Sequence, residues 1–366
     1  MKEEMKRKKK EPLIRTVKRT ELSQGKAVVL RIAALFAALV AGGLFILAIG
    51  YHPLHVYKTM VSGAFRSKLA FQGTIKVLIP LLITSLGVTL AFKMKFWNIG
   101  AEGQLIMGAV FASYFALFQD TLPHWLLILL MLLAGMIGGG LMGLLPAYFK
   151  SKYNTNETLF TLMLNYIAFN VVVFLREGPW RDPASPGYAK IARFSKNAQL
   201  DKVFGIHAGW IFAIIILIFV AIYLYMTKRG YEIAVVGESQ ATARYAGMNV
   251  KKIVLRTMFL SGGICGIAGM IEASGSAMTL TSGIAGGVGF TAIIVAWLGA
   301  LNPLSIFIVA SLFSIMEKGS SVVESTYGLS GACADVLQGI ILFFVLGCEF
   351  FVRYRFVVRK ERGARA

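Results

Sequence analysis

Long apolar runs constrain the fold of this chain more than any other feature of its sequence. The hydrocarbon core of a bilayer is about 30 Å thick, and a helix needs roughly 20 residues to cross it. Runs of about this length lie near residues 30–50, 74–93, 98–118, 125–147, 158–175, 210–227, 256–274, 287–301, 303–318 and 333–352. The sequence therefore predicts an all-α fold, a polytopic membrane helix bundle of about ten transmembrane helices.

The composition argues against a soluble protein and against a bound cofactor. Of the 366 residues, 57% are hydrophobic and 15% are charged, whereas soluble domains carry roughly 25% charged residues. The three cysteines have no CxxC spacing, which indicates buried small side chains rather than a metal or redox site. The chain has no glycine-rich phosphate-binding loop. We therefore expect no cofactor on this chain, and any ATP that drives it would be bound by a partner chain.

The net charge of +20 is concentrated outside the apolar runs. Basic residues crowd the N-terminal tail, 1–29, and the C-terminal tail, 353–366. Because positive charge is retained in the cytoplasm, both termini are predicted to be cytoplasmic, with a transmembrane domain over 30–352. Such tails attract anionic membrane lipid, and their placement argues against nucleic acid as a partner. This orientation makes 176–208 an external loop, basic but long and rich in proline, and 228–256 a cytoplasmic link.

Small residues recur at four-residue spacing inside two of the runs. Gly135, Gly139 and Gly143 share one helical face, as do Ser261, Cys265 and Gly269. Small residues let helix backbones approach closely in a membrane, where no hydrophobic effect drives helices together. The spacing predicts a tightly packed helix bundle.

The cytoplasmic link contains a short predicted helix. Ser239 can cap its N-terminus, 240–246 forms its body, and Gly247 supplies a left-handed end. Two helical turns are marginal in isolation, so this helix has to pack on something. One of its faces carries Ala241, Arg244, Tyr245 and Met248. This face could contact a partner protein or could fold back onto the chain's own helix ends.

The segment 97–104 places polar residues at the start of the third run. An ionisable side chain in a span is costly, so Asn98, Glu102 and Gln104 could form a polar break in a translocation pathway. Alternatively, Asn98 caps a helix and Glu102 complements the helix dipole in its first turn. The sequence leaves both interpretations open.

A further polar face lies on the fifth run. Glu157, Thr161 and Asn165 repeat every four residues and share one side of the predicted helix. Thr161 and Asn165 lie deeper in the membrane, where they could bond to a polar substrate or to neighbouring helices. The middles of the spans lack the Asp, Glu and His residues of proton-driven transporters, which favours energy coupling through a cytoplasmic partner.

Five segments in sequence resemble the signatures of a known family. They read FWNIGAEGQLIMGA (96–109), NETLFTLMLNYIA (156–168), VGESQATARYAGMNVKK (236–252), LSGGICGIAG (260–269) and GGVGFTAIIVAWLGALNP (286–303). In this order they resemble ABC-transporter permeases of the nucleoside and simple-sugar branch, within the larger group of ribose and branched-chain amino acid permeases. The resemblance covers roughly residues 74–350.

The resemblance implies a permease subunit of an ATP-binding-cassette importer, not an enzyme, that moves a nucleoside or simple sugar by alternating access. It implies partners: ATP-binding-cassette ATPase subunits, a second permease that is commonly a different chain, and an extracellular or periplasmic binding protein. It also implies a multi-pass location in a bacterial cell membrane. An ATP-independent secondary transporter or facilitator is the alternative.

The resemblance also suggests roles for particular residues. The coupling helix that contacts the ATPase would comprise Glu238, Ala241, Arg244, Tyr245, Gly247 and Met248. The resemblance also favours a pathway or gate role for the segment 98–104. With the polar face on the fifth run, the candidate translocation pathway then comprises Asn98, Glu102, Gln104, Thr161 and Asn165.

Overall fold

The computed structural model describes residues 14–18, 24–185, 187–328 and 354–358, together with scattered positions between 332 and 348. The described helices are α1 (Gln24–Ala48), α2 (Pro53–Phe65), α3 (Lys68–Lys93), α4 (Ala101–Phe118), α5 (His124–Tyr153), α6 (Glu157–Glu177), α7 (Gly209–Met226), α8 (Lys228–Glu238), α9 (Gln240–Tyr245), α10 (Val250–Ile271), α11 (Val288–Leu298) and α12 (Pro303–Tyr327). The strands are β1 (Ile14–Lys18), β2 (Lys202–Val203), β3 (Ile206–His207) and β4 (Tyr354–Val358).

Seven described helices are long and apolar enough to cross a membrane: α3, α4, α5, α6, α7, α10 with its π-helical extension to Ala277, and α12. The sharply bent pair Phe36–Ala48 and Pro53–Phe65 could supply an eighth span. The predicted eighth run instead contains α11, whose 11 residues reach only about 16 Å at 1.5 Å per residue and so cannot cross alone. Most of the predicted run 333–352 lies outside the described residues.

The chain divides into two compact units. One unit joins the two chain ends, Met1–Tyr57 and Ser330–Ala366, and contains an antiparallel ladder in which Ile14 of β1 pairs with Val358 of β4. The other unit, Lys58–Leu329, contains α3 to α12 and the short hairpin β2–β3. The all-α prediction missed these strands, because strands of two to five residues leave little periodicity in the sequence.

Helix α10 lies at the centre of the second unit, in contact with α3, α4 and α5. A Cβ at Gly139 of α5 would collide with the Gly262 carbonyl of α10, and one at Gly269 would collide with the Leu105 carbonyl of α4. Ser261 Oγ donates to the Gly87 carbonyl of α3 at 2.7 Å. The close packing predicted from the small residues is therefore confirmed.

The links between helices gather at two ends of this unit. At one end, Asn197 Nδ2 donates to the Asp120 carbonyl at 3.0 Å, and Phe194 N donates to the Met278 carbonyl at 2.9 Å. These bonds fasten the predicted external loop to the α4–α5 link and to the end of α10. At the opposite ends of these helices, α9, the last turn of α5 and the first turn of α10 line a common cleft. The predicted external loop and the predicted cytoplasmic link thus lie at different ends.

Candidate functional site

The short helix in the link between α8 and α10 begins at the predicted residue and ends one residue earlier than predicted. Ser239 Oγ accepts a hydrogen bond from Thr242 N at 3.2 Å, which is the N-terminal cap. Helix α9 spans Gln240–Tyr245, and Gly247 follows with a φ of +74°, the left-handed conformation that glycine adopts without strain. The cap and the stop are local features, and the sequence predicted both correctly.

The face of α9 is largely exposed. Tyr245 is 96% exposed, and Ala241 and Arg244 are also exposed. Ala243 on the opposite side is fully buried and holds the helix against the bundle, while Met248 packs partly against the core. The face carrying Ala241, Arg244 and Tyr245 therefore does not fold back onto the chain's own helix ends. Glu238 and Gly247, at the two edges of this segment, are exposed as well.

Helix α8 fixes α9 to the membrane helices. A Cβ at Gly237 would collide with the Lys93 carbonyl, so α8 packs directly on the end of α3. Arg256 Nη2 of α10 donates to Glu232 Oε2 of α8 at 2.7 Å. A displacement of α8 and α9 would therefore move α3 and α10 as well, because the backbone contact and the charge-assisted bond allow these helices little relative movement.

Four of the predicted pathway residues form a buried hydrogen-bond network. Asn98 Nδ2 donates to Gln104 Oε1 at 3.1 Å, and Gln104 Nε2 donates back to Asn98 Oδ1 at 3.2 Å. Asn98 Oδ1 also accepts from Gly100 N at 3.0 Å. The N-cap of α4 is Gly100, which makes no side-chain cap, so Asn98 organises the preceding turn rather than capping the helix.

The face predicted on α6 meets this turn. Thr161 Oγ1 accepts from Ile99 N at 3.1 Å. Asn165 Oδ1 accepts from Gly103 N at 2.8 Å, and its Nδ2 donates to the Ile99 carbonyl at 2.9 Å. Glu157 lies apart from this contact and pairs with Lys150 at 2.9 Å.

Asn98, Gln104 and Thr161 are at most 1% exposed and Asn165 is 7% exposed. In this structure their polar groups bond to neighbouring helices and turns, and none is open to a solute. For Thr161 and Asn165 this is the interhelical bonding that was one of the two interpretations left open by the sequence. The reason is that these groups and the backbone of the turn 98–100 are largely buried, and a buried polar group needs a protein partner.

Glu102 bonds to a helix far away in sequence. Its Oε1 accepts from Gly287 N at 2.8 Å, and its Oε2 accepts from Gly289 N at 2.6 Å. These N–H groups are at the N-terminus of α11, where the helix dipole favours a negative charge. The prediction put Glu102 in the first turn of α4, and it lies there. Its carboxylate, however, complements the dipole of α11 rather than that of its own helix.

An aromatic cluster joins the same two segments. The rings of Trp97 and Trp297 stack with centroids 5.5 Å apart, and Phe92 lies 5.8 Å from Trp97 and 5.5 Å from Trp297. Gly287, Gly289 and Trp297 lie in the segment 286–303 that carries the family resemblance, but the sequence indicated no individual role for them. The run GGVG at 286–289 could have indicated the role of the two glycines, because it lies where a loop ends and a short helix begins.

Several apolar helices long enough to span a bilayer define a multi-pass membrane protein. Residues 70–346 match the family described as branched-chain amino acid transport system / permease component, and the chain belongs to this family. The resemblance to ABC-transporter permeases is thereby confirmed. A permease of this class works with an ATPase and with other transporter components.

Three relatives align over most of their length. The chain is similar to the glucose ABC transporter permease protein TsgB13 of Haloferax volcanii, with 29% identity over 90% of both chains. It is similar to the nucleoside ABC transporter permease protein NupB of Lactococcus lactis, with 30% identity over 87% of this chain and 90% of the relative. It is also similar to the guanosine ABC transporter permease protein NupP of Bacillus subtilis, with 28% identity over 90% of this chain and 96% of the relative. The ATP-independent alternative is not favoured.

Among solved structures, a metal-chelate type ABC transporter in an inward-facing conformation matches 88% of this chain and 99% of its own, with a TM-score of 0.46 and 16% sequence identity. We infer nothing from a likeness at this level.

Proposed function

We propose that this chain is one of two permease subunits of an ATP-binding-cassette importer, and that it carries a neutral polar solute, a nucleoside or a simple sugar, by alternating access. One observation carries the proposal: α9 presents Ala241, Arg244 and Tyr245 to solvent while its base is fixed to α3 and α10. A helix of two turns with an exposed tyrosine and arginine suits a protein interface, because such residues dominate interface energetics.

In this proposal α9 is the coupling helix. An ATPase subunit contacts the face of α9 and moves it when ATP is bound and released. The movement passes through Gly237 to α3 and through Glu232 and Arg256 to α10, the central helix of the bundle. ATP is bound by the partner, and this chain binds no cofactor.

The distribution of charge supports a location in the bacterial cell membrane with both termini in the cytoplasm. The helix ends near α9 carry Lys93, Lys150, Lys152, Lys228 and Arg229, as expected for a cytoplasmic side. A second permease, which we expect to be a different chain, would complete the pathway. A binding protein would deliver the solute to the side of the loop 176–208.

The site around Glu102 supports a neutral solute. Discontinuous helices in transporters often direct a helix N-terminus at an anionic group of the substrate. Here the N-terminus of the short helix α11 is already occupied by the Glu102 carboxylate. Because this carboxylate already supplies the negative charge, the solute does not need to supply one. A neutral nucleoside or sugar therefore fits this site better than its phosphorylated form. We favour a nucleoside because two of the three relatives above are named for nucleoside or guanosine transport.

Reconstitution tests this proposal. The chain is placed in proteoliposomes alone, and then with its ATPase, its second permease and its binding protein, and the uptake of labelled nucleoside is measured. We expect uptake only from the complete assembly with ATP present. Uptake by the chain alone would contradict the importer assignment. Uptake of glucose but not of nucleoside would correct the substrate.

A further inference from the structure

A cleft of about 340 Å³ lies beside α9, between the end of α5 and the beginning of α10. Its charged lining residues come from four separate segments and are Lys95, Lys150, Lys152, Glu157, Arg244 and Lys251. We call it the basic cleft. None of its cations belongs to the hydrogen-bond network around Asn98 or to the Glu102 contact.

The basic cleft carries an excess of positive charge. Its one acid, Glu157, is paired with Lys150 at 2.9 Å. Within the described part of the chain, no carboxylate lies within ion-pair distance of Lys95, Arg244 or Lys251. Lys152 donates to the Tyr148 hydroxyl at 3.2 Å, again without an acid. Like charges gathered in a concave site repel one another, so an anion bound there would be stabilised by all of them.

Ser151, Asn154 and Gln240 give the cleft a polar part, and a separate apolar part lies at the ends of the predicted spans. Met94, Phe96, Val250 and Val254 form this part of the wall. Lys152 and Lys251 lie over the ring of Tyr148, at 5.6 Å and 5.9 Å from its centroid. Tyrosines and basic residues at the ends of spans mark the level of the lipid headgroups. The cleft thus combines cations that can bind a phosphate with apolar residues that can contact the apolar groups attached to that phosphate.

We propose that the basic cleft binds the phosphate of an anionic phospholipid headgroup from the adjacent leaflet. Basic pockets between transmembrane helices bind such headgroups in other proteins, and each basic residue near an anionic surface adds about fivefold to the affinity. A lipid is favoured over a soluble phosphate because the cleft lies at the headgroup level and is partly apolar. The lipid site itself depends on neither the orientation of the chain nor its ATPase.

Occupancy would affect the coupling helix, and this consequence does rest on the proposed function. Gln240 and Arg244 of α9 form one wall of the basic cleft, and Lys251 of α10 and Lys152 of α5 form others. A phosphate held between them would join α9 to the two helices that pack most closely at the centre of the bundle. Anionic lipid would then favour one position of α9.

The test measures lipid retention by the full-length chain alone. Purified protein in phosphatidylcholine–detergent micelles is titrated with phosphatidylglycerol, and bound lipid is counted by native mass spectrometry. Lys95→Gln/Lys251→Gln removes two cleft charges without touching α9, and we expect about thirtyfold weaker retention. Lys95→Arg/Lys251→Arg should retain the lipid. The matched control Lys228→Gln/Lys252→Gln removes two exposed charges outside the cleft lining and should retain it too.

Four results would overturn the proposal. Undiminished retention by Lys95→Gln/Lys251→Gln would show that the cleft holds no lipid, and an equal loss in the control would show attraction to the surface in general. Inorganic phosphate or ATP that displaces phosphatidylglycerol at comparable concentration would identify a soluble ligand. Weakened assembly with the ATPase, with unchanged lipid retention, would assign the cleft to an acidic surface of that partner instead. Because the titration needs neither ATPase nor solute, it can fail while the importer assignment stands.

Discussion

The Glu102 carboxylate accepts a hydrogen bond from the backbone N–H of Gly289 at 2.6 Å, between residues 187 positions apart in the chain. With the second bond, from Gly287, this contact holds the N-terminus of the short helix α11 against the first turn of α4. A helix too short to cross the membrane is thus fixed by a charge from a helix that can cross it.

Glu102→Leu should destabilise the protein and reduce uptake. The substitution leaves two N–H groups of α11 without their acceptor, and each unsatisfied buried group costs about 1–3 kcal/mol. Glu102→Gln keeps one acceptor oxygen and should lie between wild type and Glu102→Leu. Thermal unfolding of purified protein and uptake per folded transporter would be measured, with the exposed Glu324→Leu as the control. Normal uptake by folded Glu102→Leu would exclude a role for the contact in transport.

Gly289→Ala tests the same contact by steric means. A Cβ at Gly289 would collide with the backbone N of Glu102, so α11 would have to move away. We expect a lower unfolding temperature and lower uptake than in Gly283→Ala, since a Cβ at Gly283 meets nothing within 4 Å. Equal effects of the two substitutions would contradict the packing of α11 on α4.

Asn165→Ala should destabilise the protein in the absence of any solute. It removes the partner of Gly103 N and of the Ile99 carbonyl, and the expected loss is about 1–3 kcal/mol for each group left unsatisfied. Asn170→Ala, an exposed asparagine on the same helix that bonds only to its own helix backbone, is the matched control. Should Asn165→Ala unfold at the wild-type temperature while losing solute affinity, the pathway interpretation of Asn165 would replace the interhelical one.

Tyr245→Asp should uncouple ATP hydrolysis from uptake while the membrane fold stays intact. Tyr245 is 96% exposed and contributes little to the stability of the isolated chain. Placing a charge on an interface anchor should weaken docking of the ATPase. Assembly, ATP hydrolysis and uptake would be measured together in proteoliposomes, with the exposed Tyr231→Asp on α8 as the control. Wild-type transport by Tyr245→Asp would remove the coupling-helix assignment.

The contribution of His207 to the stability should fall as the pH is lowered below about 6.5. Burial, and to a smaller extent the charge of Lys76, lowers the pKa of His207 in the loop before α7 from 6.5 to about 4. Between these values the unfolded chain takes up a proton that the folded chain does not, so the free energy of unfolding decreases as the pH falls toward 4, by about 3 kcal/mol at most. Well above pH 6.5 the histidine is neutral in both the folded and the unfolded chain, so it adds no pH dependence to the free energy of unfolding. Unfolding temperatures at several pH values, compared with those of His207→Gln, would measure the effect; an unchanged slope in the variant would assign it to other groups.

Features of the fold that depend on neighbours in sequence were predicted from the sequence. The cap at Ser239 and the left-handed Gly247 are set within one or two helical turns, so α9 was found almost to the residue. Long apolar runs gave the helices from α3 to α7 for the same reason. The run 287–301 was predicted as a span because its composition is apolar, although the residues at its ends do not extend the helix beyond Leu298.

The sequence by itself therefore determined a membrane bundle, its helix-packing glycines and the short helix α9, since helix length, periodicity and capping depend on adjacent residues. Whether the face of α9 is exposed was decided by the tertiary structure. Only the tertiary structure decided which groups the polar residues meet. Glu102 joins α11, Asn165 joins the turn before α4, and Lys95, Arg244 and Lys251 share one cleft. A polar group inside a membrane must find a partner, but chain folding, not local pattern, selects which distant backbone or charge comes within reach.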